Sequence, residues 1–343
     1  MPVSSRHGAG PGSRSAPNRI QRLREDSTID SNIDDLPDLS VRPERTEGAV
    51  LSIDLGGAPH PAGPGLEWLG GDFAHEAWTA SGDRVYSIVL GERDEPGLDA
   101  AEPAERLYRR LIEQLRAADD AYPLRLWNYF PAINEGPDDA ERYRRFCVGR
   151  GRALEAAGLA DAQMCAATAI GGELERQGPV MQLVALVGRR PGVSIENPRQ
   201  VSAWNYPRSY GPRQPAFARA TAVPLAGSRT ALLISGTASV VGHATAHPGD
   251  VLAQTDEAAS NLESLLRNAA ATLDRPALGE FGPDSLARVY VRHAADWPAV
   301  RSRLKARWPE LALCGLRGDV CRRDLLVEIE AWHPGHSTGR SAG

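Results

Sequence analysis

The chain has 343 residues, 42% hydrophobic and 24% charged, with a formal net charge of −5. This length allows two domains with substantial cores, and the composition is that of a folded protein. An acidic balance without any basic block argues against nucleic acid as a partner. No apolar run approaches the roughly 20 residues that a bilayer-spanning helix needs, and the first thirty residues lack the apolar centre of a signal peptide, so no membrane association and a cytoplasmic location are expected.

In chain order, residues 1–45 are rich in Ser, Arg, Asp, Gly and Pro and read as a flexible arm. A first strand is expected within SVRPERTEGAVLSIDLGG, and RVYSIVLG (84–91) has strand character. Leu107, Leu111, Ile112 and Leu115 recur at helical spacing and predict a helix over 103–118. LRLWNYFPAI (124–133) reads as a strand running into a loop, and 138–158 as a helix stopped by Gly158. PVMQLVALVG (179–188) is a strong strand. Residues 196–221 are too punctuated by Pro and Gly for a helix, and they mix Trp204, Tyr206, Tyr210 and Phe217 with Arg199, Arg208, Arg213 and Arg219.

In the last third, RTALLISGTASVVG (229–242) predicts a hairpin bent at a glycine. A helix over 256–273 carries Ala259, Leu262, Leu265 and Leu266 on one face. A strand (286–293), a helix (297–308) and a final strand (324–332) follow. This order predicts an α+β fold with helices packed on a sheet, and the middle region repeats it, pointing to an internal duplication.

Candidate chemistry begins with Glu328 and Glu330. Period-two geometry puts them on one face of the last strand, with Leu326. A carboxylate facing a pocket, beside a like neighbour, resists ionisation and can serve as a general acid. The alternative is a strand edge with both groups in water. The arginines among the tyrosines of 196–221 suit a dicarboxylate, since the guanidinium fork matches carboxylate geometry; the alternative is an exposed loop. His243 and His247 lie in a segment that is not convincingly helical and lack a third ligand, so structural roles are expected and no metal. Ser239 lacks the GxSxG context of a hydrolase, and GRGR (149–152) lies in a helical pattern, which leaves no phosphate loop. Trp127 and Trp204 read as core or pocket wall. Cys147, Cys165, Cys314 and Cys321 are far apart, with no CxxC pair, and predict free thiols.

Three segments together resemble the chorismatase family: LRLWNYFPAINE…ERYRRFCVGRGRAL (124–154), SAWNYPRSYGPRQPAFARA (202–220), and LLISGTASVVGHAT (232–245) with CRRDLLVEIE (321–330). The resemblance spans about residues 45–335. The last third is also similar to the RidA/YjgF superfamily. The resemblance implies two RidA/YjgF-like halves, each a mixed sheet packed by helices: residues 46–221 with the aromatic/Arg loop, and 222–335, followed by a tail at 336–343.

It further implies release of pyruvate from chorismate without cofactor or metal, in the service of secondary metabolite biosynthesis, by a monomer or homotrimer. Glu328 matches the acid that protonates the enolpyruvyl methylene, with Glu330 the alternative two residues on. Arg213, with Tyr206 and Tyr210, is the preferred carboxylate clamp, followed by Arg219 and Arg150. Cys321, seven residues before Glu328, resembles the branch that forms 3-hydroxybenzoate. A small residue in SGTAS, either Gly236 or Ala238, also bears on the product; an alanine there would favour the branch that adds water and forms a dihydroxycyclohexadiene carboxylate. The favoured expectation is 3-hydroxybenzoate. Functions of other classes are a RidA-like imine hydrolase and a non-catalytic binder of small acids.

Overall fold

The structure, a computed structural model, describes residues 86–335 apart from 119, 160–163, 174–177 and 226–228, together with three short strands before them. The strands are β1 (Val50–Ser52), β2 (Glu67–Gly71), β3 (Ala77–Thr79), β4 (Tyr86–Arg93), β5 (Tyr122–Tyr129), β6 (Ala166–Gly171), β7 (Val180–Gly188), β8 (Val193–Ile195), β9 (Ala220–Pro224), β10 (Thr230–Ala238), β11 (Val240–Val241), β12 (Ala244–Thr245), β13 (Leu286–Val291), β14 (Ala312–Arg317), β15 (Asp319–Val320) and β16 (Val327–His333). The helices are α1 (Ala101–Ala117), α2 (Arg142–Ala156), α3 (Val251–Leu273) and α4 (Trp297–Arg307). The arm at 1–45 and the tail at 336–343 lie outside the described residues.

Helix ends follow local chemistry. Gly158, at φ +67°, closes α2 in a Schellman turn, with Leu159 N donating to Leu154 O at 3.1 Å and Gly158 N to Glu155 O at 2.9 Å. Asp250 caps α3 by accepting from Ala253 N at 3.0 Å. The aligned face of α3 is buried as expected, with Ala259, Leu262, Leu265 and Leu266 all in one core. Each buried leucine contributes about 1.5–3 kcal/mol.

The strands form two main mixed sheets. The first has order β15-β6-β5-β7-β4 and the second β2-β14-β13-β16-β10-β9-β8. Within them, β6-β5-β7-β4 and β14-β13-β16-β10 share the same chain order and the same directions. β5 runs parallel to β6 and antiparallel to β7, as β13 does to β14 and β16. Each unit interleaves its first three strands with two helices. The repeat expected from the sequence is therefore present in the topology. The sheets do not divide at the expected 221/222 boundary, which cuts through β9. β2 already belongs to the second sheet, paired with β14; the chain re-enters that sheet at β8, and β15 returns to the first.

Period-two alternation sorts the side chains into layers. Met181, Leu183 and Ala185 of β7 face the first pair of helices, whereas Val184 and Leu186 face the second sheet. Val327, Ile329 and Ala331 of β16 face α3 and α4. Its other face, with Glu328 and Glu330, looks between the sheets. The layering is thus helix, sheet, sheet, helix, and both glutamates are buried, at 4% exposure each. The solvent-edge alternative is excluded.

Two local differences from the sequence reading have physical causes. Of the two glycines at which the hairpin of 229–242 could bend, Gly242 makes the reversal, with φ +60°. Gly236 lies instead in a bulge within one continuous strand, where the β10–β16 register shifts between Ile234 and Thr237. Strand β14 was not expected, because Cys314 and Gly315 interrupt its apolar pattern. Gly315 is required there, since a Cβ would overlap the Trp297 ring.

GRGR likewise serves packing. A Cβ on Gly149 would overlap the backbone carbonyl of Ala101, where α1 and α2 touch. Replacing Gly149→Ala must push the helices apart, and the expected cost is about 1–3 kcal/mol, read by urea denaturation. An unchanged midpoint would contradict this contact.

Candidate active site

Between the sheets, five side chains donate to one carboxylate. Glu330 accepts from Arg125 Nη2 (2.6 Å), Trp127 Nε1 (2.9 Å) and Thr168 Oγ1 (2.5 Å) of the first sheet, and from Arg288 Nη1 (3.2 Å) and Tyr290 OH (3.0 Å) of the second. Burial opposes its ionisation, but Arg125, Arg288 and these hydrogen bonds outweigh burial and hold it below the ordinary carboxylate range.

Glu328, two residues earlier on the same face, has the opposite surroundings. Among the described residues no hydrogen bond reaches it. Burial, then the charge of Glu330, push its carboxyl up to about 8, against the pull of Arg125, Arg219 and Arg322. The group is therefore a neutral acid at physiological pH.

The bulge in β10 gives Glu328 its room. Gly236 N donates to Thr168 Oγ1 at 2.9 Å, and Ser235 Oγ accepts from Ala167 N at 2.9 Å, which fixes the bulge to the first sheet. A Cβ at Gly236 would overlap Glu328 Oε1. Ala238 is the β10 partner of Glu328 in the register.

Glu328 opens into a cavity of about 510 Å³ that both Gly236 and Ala238 line. Its wall includes Tyr143 and Arg144 of α2, Gln200, Tyr206, Tyr210, Phe217 and Arg219 of the loop, and Cys321, Arg322 and Arg323 from the β15–β16 connection. The Arg322 guanidinium lies 4.2 Å from the Tyr210 ring centroid and 5.3 Å from that of Tyr206, with Nη1 donating to His243 O at 2.9 Å. Arg219 is buried, and its Nη2 donates to Val201 O (2.8 Å) and Tyr206 OH (2.9 Å). Four arginines on the wall suit an anionic ligand. Burial, with Glu328 nearby, raises the Cys321 thiol and keeps it protonated, so Cys321 is wall and not a nucleophile.

Of the residues singled out by sequence, Glu328, Tyr206, Tyr210, Arg219, Gly236, Ala238 and Cys321 meet in this cavity. Arg213 does not line it: its Nη1 donates to Glu155 Oε1 at 2.5 Å and its stem packs over Gly151. Arg150 does not line it either. It is buried behind the wall, 5.0 Å from the Phe146 ring centroid, with Nη2 donating to Cys147 Sγ at 3.7 Å. Arg322 lines the cavity where Arg213 was expected; sequence reasoning missed it, as it did Tyr143, Arg144 and Gln200. The paired arginines of CRRDLL were the available signal. His243 contacts Tyr210 OH at 3.3 Å and His247 contacts Glu257 at 3.3 Å, so the pair does not converge.

Residues 71–186 match the family model "Chorismatase FkbO/Hyg5-like, N-terminal". The chain is 40% identical over 263 residues to a 3-hydroxybenzoate synthase of Streptomyces hygroscopicus, covering 74% of this chain and 75% of the relative. It is 40% identical over 264 residues to a chorismatase of the same organism, covering 74% and 73% respectively. A chorismatase crystal structure superposes with a TM-score of 0.63 at 36% identity, over 75% of this chain and 76% of that one.

The Glu328 environment predicts a signature in stability. Between pH about 5 and 8 the folded chain holds a proton that the unfolded chain has released, so this group erodes stability as pH rises through that window. The slope is about 1.4 kcal/mol per pH unit. Glu328→Gln removes the titration. Its melting temperature relative to the parent is expected to rise between pH 5 and pH 8.5, by calorimetry; a difference independent of pH would contradict the buried neutral acid.

Proposed function

The chain belongs to the chorismatase family and is a chorismate-cleaving enzyme, and we propose that it does so with Glu328 as general acid, releasing pyruvate and 3-hydroxybenzoate. The observation that carries this reading is a buried carboxyl raised to about 8, without a hydrogen bond, opening into a cavity walled by arginines. Protonating carbon is slow, and it needs an acid that is neutral, dry and well aimed.

Chorismate is a dianion. Arg322, held between Tyr206 and Tyr210, and Arg219 take its carboxylates, with Arg144 and Arg323 adding positive charge at the wall. Glu328 gives its proton to the terminal methylene of the enolpyruvyl ether. The oxocarbenium ion formed is a good leaving group. The substrate's own C4 hydroxyl oxygen bonds to ring carbon C3 as the C3–O ether bond breaks; the ether oxygen departs as the ketone of pyruvate, and the hydroxyl proton returns to Glu328. The resulting C3–C4 epoxide opens at C4, the oxygen stays on C3 and takes up a proton, and loss of the C3 proton restores aromaticity as 3-hydroxybenzoate. No water is consumed overall.

Support for this product comes from the small residue beside the acid. Gly236, not Ala238, is the position where a methyl group would displace the carboxylate, and a glycine there goes with Cys321 in the branch that forms 3-hydroxybenzoate. No nucleophilic role is given to Cys321.

Incubating the protein with chorismate and resolving the products by chromatography tests the reading. Pyruvate with 3-hydroxybenzoate is expected. A non-aromatic diol acid would overturn the product assignment, and no pyruvate would overturn the activity. Glu328→Gln is expected to lower turnover by at least 1,000-fold with the fold intact. Gly236→Ala is expected to shift the product toward the dihydroxycyclohexadiene carboxylate by displacing the acid; an unchanged product in that variant, or near-normal turnover in Glu328→Gln, would contradict the assigned role.

A further inference from the structure

The cations that suit this cavity to a dianion work against its acid. Facing Glu328 are Arg125 from β5, Arg219 from the segment before β9, Arg322 and the Cys321 thiol from the β15–β16 connection, Tyr143 of α2 and Tyr290 of β13 opposite. Three of these are guanidiniums, and each favours the ionised, useless form of the carboxyl. The carboxyl groups of Glu141 and Asp324 also line the cavity, but the charge that acts most strongly on Glu328 against the guanidiniums is Glu330.

We propose that Glu330 is a positioning residue for the reaction: a permanently ionised carboxylate, locked on the same strand face as Glu328, whose repulsion keeps the catalytic proton in place. It does not line the cavity and acts through Glu328, so the inference rests on Glu328 being the acid.

Two observations carry it. The first is geometry. Five donors from both sheets fix Glu330 in its charged form, whereas among the described residues none reaches Glu328. Residues two apart on a strand sit about 6–7 Å from one another on one face. At that range, in a buried setting, a charge shifts its neighbour by more than a pH unit.

The second is the register. Tyr290 stands opposite Glu328 and Arg288 opposite Glu330, yet the Tyr290 hydroxyl donates to Glu330 at 3.0 Å, as Arg288 Nη1 does at 3.2 Å, so both polar side chains of β13 serve Glu330.

The test is the pH dependence of kcat/KM for pyruvate release from chorismate, which reports the free enzyme. In the parent the alkaline limb is expected near pH 8. Glu330→Gln keeps the shape and an acceptor but removes the charge. The limb is expected to fall by at least about one pH unit, with activity at pH 8 reduced at least about fivefold and activity at pH 5.5 within about threefold of the parent. Circular dichroism and thermal melting monitor the fold. Glu330→Gln combined with Arg288→Met removes an ion pair as a pair, which folds are known to tolerate, and leaves Arg125, Arg219 and Arg322 in place around Glu328. It is the variant to read if the single change does not fold, and its limb is also expected below the parent's.

An unmoved limb in either folded variant, with Glu328→Gln inactive, would overturn this inference alone. An active Glu328→Gln would overturn both this inference and the assignment on which it rests.

Discussion

The ion pair between Arg125 and Glu330 is the constraint on which the rest of the structure depends. It is buried at 2% and 5% side-chain exposure, it joins the two sheets, and Arg288 completes it from the other side. Burying three charges between apolar sheets is costly unless each is matched. Trp127, Thr168 and Tyr290 supply the remaining matches, and Thr168 passes the connection on to Gly236 and thereby to the bulge. The sheets therefore meet in one register, and that register places Glu328 at the floor of the cavity.

Function follows from an asymmetry between two identical side chains. Glu330 accepts from five donors, and among the described residues none reaches Glu328. One becomes a fixed charge and the other a reservoir for a proton. The separation is produced by the surroundings, since the strand presents both groups on the same face. The glycine at 236 leaves room for the acid, and in the proposed reaction the arginines of the wall hold the anion against it.

Much of this arrangement was legible in the sequence. The apolar spacing of α3 and the alternation in β16 were direct readings of period, and both describe what is buried. Gly158 announced the end of α2 through its left-handed conformation. Glu328 and Glu330 stood out together as charged residues in an apolar strand, and only the resemblance to the chorismatase family chose Glu328 between them. The bulge at Gly236 was legible only as a glycine, because a turn and a bulge use the same residue. Arg125 and Arg288 could not be read as partners of Glu330: their pairing joins positions 205 and 42 residues apart in the chain, and no local pattern carries it. Arg213 misled for a related reason. It lies in the right loop, but its reach is taken by Glu155, which belongs to α2 and is remote in sequence. Arg322 was overlooked because its value comes from Tyr206 and Tyr210, which only the fold brings to it.

The central claim is that Glu328 is protonated in the free protein near neutral pH. The direct measurement is a carboxyl titration by carbon-13 NMR with labelled glutamate, comparing the parent with Glu328→Gln. The account predicts that one resonance missing from the variant titrates near pH 8 in the parent. A resonance for Glu328 that titrates in the ordinary range of about 4–5 would contradict it.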